Sequence, residues 1–180
     1  MPKETTKSIG LEGKSKAPDF RRGNNYVLCI GIDDYEKQPL HNCVRDVKAF
    51  TQVLIERYDF KEEHITYLLN REATREEIND RLRAYADLIT EEDNFLLYYS
   101  GHGKFDKLED EGYWLTYGCD FKNYANKGIA NQEMVRKIKT LKARHIVLFI
   151  DSCFSGSLFF TDKDLVAASP PDELEKDPSR

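Results

Sequence analysis

The spacing of apolar and polar positions along the chain alternates between two signatures. Tyr26–Ile32 (YVLCIGI) is an unbroken β-rich apolar run, the pattern of a strand covered on both faces. The stretch NCVRDVKAFTQVLIERY that follows sets Val44, Val47, Phe50, Val53 and Leu54 on one side of a helix. His64–Leu69 predicts a second strand. Thr74 with Glu77 three residues later forms a capping box, opening a helix whose apolar side is Ile78, Leu82, Tyr85 and Leu88–Ile89. Asn94–Tyr99 predicts a third strand, and Tyr113–Gly118 a short β piece outside the main sheet. Asn131 is placed to cap a helix over QEMVRKIKTL, and His145–Ile150 predicts the fourth strand. The order βαβαβ…αβ implies an α/β fold with a mostly parallel central sheet and helices on both faces.

The flanks read differently. Residues 1–24 are polar and rich in Lys, Gly and Ser, as expected of a flexible arm, and 163–180 end in PPDELEKDPSR, a polar linker or a processed C-terminal end. One domain over 25–162 remains, consistent with a chain of 180 residues. Its 40% hydrophobic and 33% charged content is that of a globular domain. A net charge of −5 argues against a nucleic-acid or anionic-membrane surface. No apolar run approaches the ~20 residues that span a bilayer, and the N-terminus has no hydrophobic block. Cys29, Cys43, Cys119 and Cys153 lack paired spacing, which fits reduced thiols in a cytoplasmic protein and neither a disulfide frame nor a metal site.

Two strand ends carry candidate chemistry. NFLLYY breaks into Ser100-Gly101-His102-Gly103, and HIVLFI breaks into Asp151-Ser152-Cys153. In a parallel sheet, residues just after the strands gather along one edge, where ligands bind. An imidazole beside a thiol there makes a nucleophile and its base. The Gly103 and Cys153 amides are candidate oxyanion donors. Taken singly, a Cys such as Cys153 at a strand end is more often a packing thiol, and a His such as His102 between glycines more often a turn residue. GHGK lacks phosphate-loop spacing, and CIGID lacks a dinucleotide fingerprint.

YYSGHG followed by IDSCFSG resembles the His and Cys motifs of the caspase-like cysteine peptidases, in their metacaspase and bacterial caspase-homologue branch. The motifs lie 51 residues apart (153 − 102), against about 50 in caspases. The likeness runs from about Tyr26 to Phe160 and includes GIDDY and NCVRDV. It implies the three-layer α/β/α large catalytic subunit of a cysteine endopeptidase, with Cys153 as nucleophile and His102 as general base and acid. No third member of the catalytic group is visible. Asp151-Ser152 stands where true caspases carry Gln-Ala.

The resemblance also implies a specificity pocket made from Cys43, Asp46, Ser100 and Asp151. Two buried carboxylates are costly until a cation arrives, so the expected substrate is a protein with Arg or Lys at P1. Leu40 stands where caspases use Arg to receive Asp. Carboxylates of calcium-dependent metacaspases are replaced by Trp114, Asn131, Gln132 and Phe160, so neither a metal nor another cofactor is expected. The family's small subunit, from the same precursor, is expected as a missing partner. Lys16, Arg21, Arg22 and Arg180 are candidate sites of self-cleavage. Two other readings stay open: a catalytically incompetent caspase-like interaction module, and a related cysteine hydrolase with a different P1 preference.

Overall fold

A computed structural model of the chain describes residues 23–152 in full and the backbone of 166–168. Five parallel strands form the main sheet: β1 (Asn25–Gly31), β2 (Ile65–Leu69), β3 (Asn94–Ser100), β7 (His145–Asp151) and β8 (Val166–Ala168), in the order β2-β1-β3-β7-β8. A smaller antiparallel sheet contains β4 (Gly103–Asp106), β5 (Glu111–Trp114) and β6 (Ile129–Ala130). The helices are α1 (Cys43–Tyr58), α2 (Arg75–Leu88), α3 (Tyr124–Lys127) and α4 (Asn131–Ile138). Among the described residues, no helix is long and apolar enough to cross a membrane.

The unbroken apolar runs arise because both sheet faces are covered. Along β1, Tyr26, Leu28 and Ile30 face a core with α2 (Ile78, Leu82, Tyr85) and α4 (Met134, Ile138). Val27 and Cys29 face the opposite side, where α1 contributes Val47 and Leu54. β3 repeats the alternation, with Phe95, Leu97 and Tyr99 on the first face and Leu96 and Tyr98 on the second. Three layers result, as expected.

Helix details correct the sequence reading in several places. On α1, Val53 is 48% exposed and Thr51 is buried in its stead. Thr51 is buried at low cost because its hydroxyl donates to the Val47 carbonyl and accepts from Tyr67. Leu88 is 54% exposed while Ile89 is buried. Thr74 caps α2 as expected, accepting from the Glu77 amide at 3.1 Å. Asn131 is the first residue of α4 and does not cap it. Its side-chain oxygen instead accepts from Trp114 Nε1 at 2.7 Å, the partner a buried indole requires. The acidic stretch KFDKLEDEG forms the β4–β5 hairpin. Tyr113 and Trp114 are strand as expected, but β5 starts at Glu111 and Leu115–Gly118 lie beyond its end.

Candidate active site

Three strands end level with one another. Gly31 of β1 pairs with Ser100 of β3, and Ser100 with Asp151 of β7. The register continues past the strands, with the Ile32 amide donating to Ser100 O at 3.0 Å and the Gly101 amide to Asp151 O at 3.2 Å. His102 therefore lies two residues beyond the end of β3. Asp151 is the last residue of the neighbouring strand, β7, and Ser152 starts the loop after it. Cys153, the expected nucleophile and second oxyanion donor, lies outside the described residues, as does Phe160.

His102 is fixed through backbone and ring together. Its amide donates to the Tyr35 hydroxyl at 3.0 Å. Its carbonyl accepts from the Tyr99 hydroxyl at 2.6 Å and from the Leu115 amide at 2.9 Å. The Tyr35 hydroxyl also donates to Leu115 O at 2.8 Å, and the Tyr99 hydroxyl oxygen lies 3.1 Å from the same carbonyl. Gly101 is required here, since a Cβ would come within 2.6 Å of the Tyr35 hydroxyl and 2.9 Å of that of Tyr99. The imidazole stacks on Tyr35 at 4.6 Å and meets Phe121 edge-on at 5.2 Å.

One ring nitrogen, Nε2, lies 2.7 Å from the backbone oxygen of Gln38. A carbonyl only accepts, so Nε2 carries the hydrogen and Nδ1 presents the lone pair. The Gln38 carbonyl thus orients the imidazole. Gln38 adopts a left-handed φ of 59°. Gly103 opposes Trp114 at a position of the β4–β5 ladder next to the Leu115–His102 bond. That alternation turns the Gly103 amide away from β5, as an oxyanion donor requires.

The four expected pocket residues gather on the α1 side of the same edge. Ser100 Oγ donates to Asp151 Oδ2 at 3.4 Å. The Cys43 thiol lies beside Ser100 and Asp33. Burial pushes this thiol up to about 11, against the opposing effect of the Ser100 hydroxyl. The Tyr98 phenol behind Ser100 is pushed up to about 12, first by burial and then by the charges of Asp151 and Asp46. Both carboxylates therefore act on one small region. Neither is buried, contrary to expectation: Asp151 is exposed, and the Asp46 side chain is 39% exposed and 3.4 Å from Arg45 Nε. In the free domain water solvates both, which removes the cost of holding two like charges together.

The model of the metacaspase, peptidase C14 domain family matches residues 26–161. The chain belongs to the metacaspase family. It is 30% identical to Metacaspase-1 of Schizosaccharomyces pombe over 172 residues, 87% of this chain and 40% of that one. It is 29% identical to Metacaspase-4 of Arabidopsis thaliana over 161 residues, 83% of this chain and 38% of that one. The chain thus spans about two fifths of the length of these curated relatives. The crystal structure of protein GSU0716 from Geobacter sulfurreducens shares the fold, with a TM-score of 0.59 and 23% identity over 74% of this chain and 52% of that one. Metacaspases are cysteine peptidases of the caspase-like type.

Where calcium-dependent metacaspases would carry carboxylates, this metacaspase domain ties Trp114 to Asn131. Among the described residues, no three His, Cys, Asp or Glu side chains converge in a way that could hold a metal ion. Leu40 is partly buried against the core and donates its amide to Asp33 O at 2.9 Å. Asp33 itself escaped the sequence reading. Its carboxylate accepts from the Cys43 and Val44 amides at 2.9 and 3.2 Å, capping α1 in place of Asn42, whose side chain makes no cap bond. Standing ten residues ahead of the helix, it has no local cap signature.

Proposed function

We propose that this metacaspase domain is the catalytic part of a cysteine endopeptidase that cuts protein chains after Arg or Lys. The supporting observation is the held tautomer of His102, two residues beyond β3 and beside the strand that leads into Cys153. Nδ1 takes the proton from the Cys153 thiol, and the thiolate attacks the scissile carbonyl carbon. The Gly103 and Cys153 amides receive the developing oxyanion. The Nδ1 proton passes to the leaving amine as the thioester forms. His102 then takes a proton from water, which attacks the thioester and releases the acid and the Cys153 thiol.

A P1 cation enters between Asp46 and Asp151, with Ser100 and Cys43 beside it. Binding desolvates carboxylates that are hydrated in the free domain, so the incoming charge must replace their water, and a bidentate guanidinium does this best. The same pocket makes the protein's own basic segments substrates, and a further segment of the precursor completes the cleft. Three unpaired thiols among the described residues, Cys29, Cys43 and Cys119, support a reducing compartment such as the cytoplasm.

The test is turnover of matched peptides with Arg, Lys, Asp or Asn at P1 by the whole protein, with new termini read by mass spectrometry. Arg and Lys peptides are cut, and Cys153→Ala and His102→Ala abolish cutting. Asp46→Ala or Asp151→Ala costs about 2–5 kcal/mol on the Arg substrate, roughly 30- to several-thousand-fold, without additivity in the pair. Cleavage after Asp or Asn, or turnover surviving in Cys153→Ala, overturns the proposal.

A further inference from the structure

The loop between β1 and α1 carries the carbonyl that holds His102, and its own anchorage lies elsewhere, at the end of β2. Asp33, at the base of this loop, has every polar group engaged. Its carbonyl accepts from the Tyr35 and Leu40 amides, both at 2.9 Å, which closes the loop on itself. Its carboxylate caps α1. Its amide donates to Asn70 Oδ1 at 2.8 Å, and the Asp34 amide donates to the same oxygen at 3.1 Å. Asn70 thus grips two successive amides with one atom.

Asn70 suits this position twice over. Its φ is 49°, a left-handed conformation that Asn and Asp tolerate better than most side chains. Its carbonyl accepts from the Ala73 amide at 2.9 Å, holding the turn from which the side chain projects. The only other contact between the turn and the loop that bears charge among the described residues is Arg71 Nε to Asp34 Oδ2 at 3.5 Å, between largely exposed side chains, which adds little in water.

We propose that Asn70 is a positioning residue for His102: it anchors the β1–α1 loop so that the Gln38 carbonyl stays aimed at Nε2 and holds Nδ1 in its lone-pair form. The inference rests on His102 being the base of the proposed peptidase. Asn70 touches neither His102 nor the pocket acids, and its effect travels through two amides, a closed loop and one carbonyl. Without its oxygen, the Asp33 and Asp34 amides turn to water and Gln38 is free to withdraw. The imidazole then populates the Nδ1–H tautomer, which cannot accept the thiol proton.

The test compares Asn70→Gly, which keeps the left-handed backbone and removes the oxygen, with Asn70→Asp, which keeps both. The tautomer of His102 is read by two-bond nitrogen–proton NMR correlation of the imidazole in the whole protein, and kcat and KM are measured on an Arg peptide. Wild type and Asn70→Asp show a single Nε2–H tautomer. Asn70→Gly shows a mixture, with kcat reduced about tenfold to a hundredfold and KM within about threefold, since the pocket acids are untouched. If the glycine variant fails to fold, the same reading is made on Asn70→Ser, whose hydroxyl is too short to reach both amides. A single Nε2–H tautomer in the folded variant, or an aspartate variant as impaired as the glycine variant, overturns the proposal. A wild-type protein without turnover instead removes the peptidase reading and leaves the tautomer result standing.

Discussion

Removing one oxygen atom, by Tyr35→Phe, tests how His102 is held. The ring that stacks on the imidazole remains, while the hydroxyl that accepts from the His102 amide at 3.0 Å and donates to Leu115 O at 2.8 Å is lost. Leu115 O keeps the Tyr99 hydroxyl 3.1 Å away, whose hydrogen it shares with His102 O. The His102 amide keeps no other partner, and leaving this part-buried donor unpaired costs up to about 1–3 kcal/mol. For a chain of this size each kcal/mol moves Tm by about 2–4 °C, so the expected loss is roughly 2–12 °C. Tyr99→Phe should cost less, about 0.5–1.5 kcal/mol, because both carbonyls it serves retain another donor: Leu115 N for His102 O, and Tyr35 for Leu115 O. Burial alone predicts the reverse order, since Tyr99 is 0% exposed and Tyr35 4%. Thermal melts of the two single variants and the double variant decide between the accounts, and the two hydroxyls should couple because both approach Leu115 O. A Tm loss for Tyr99→Phe equal to or above that for Tyr35→Phe would refute the reasoning.

Thiol labelling separates the nucleophile from its neighbours. Burial pushes the Cys29 thiol up to about 12 and those of Cys43 and Cys119 up to about 11, so iodoacetamide at neutral pH should alkylate Cys153 first, as mapped by mass spectrometry; Cys43 reacting as fast contradicts this. The loops on either side of His102 are joined by Lys37 and Asp120 at 2.9 Å, and the Lys37 ammonium, with the Lys122 and Asn123 amides, lowers the Asp120 carboxyl to about 2. A depressed carboxyl stabilises the folded state above its unfolded value near 4 and loses that contribution as pH falls through the folded value. Asp120→Asn should therefore melt below wild type at pH 7, with the gap closing between about pH 4 and pH 2; a gap unchanged at pH 2 would contradict the pairing. Turnover in chelator should equal turnover in millimolar calcium, because Trp114 and Asn131 satisfy each other where ligands would stand; activation by an ion mapped to these residues would overturn that expectation.

The layers of this protein were legible in its sequence because they depend on local periodicity. An apolar run such as Tyr26–Ile32 can be satisfied only by a strand covered on both sides, and the structure covers it with α1 on one face and α2 and α4 on the other. The place of His102 was legible for the same reason, since a strand must end where glycines interrupt its pattern. Other features depended on tertiary structure. Val53 and Thr51 exchange roles on α1 because Tyr67 of β2 offers Thr51 a hydrogen bond. Asp33 caps a helix ten residues away because the loop closes on itself. The Gln38 carbonyl that orients the imidazole belongs to the backbone, which every residue shares, so no side-chain motif announces it. Only the meeting of chain segments 64 residues apart turns that ordinary carbonyl toward Nε2.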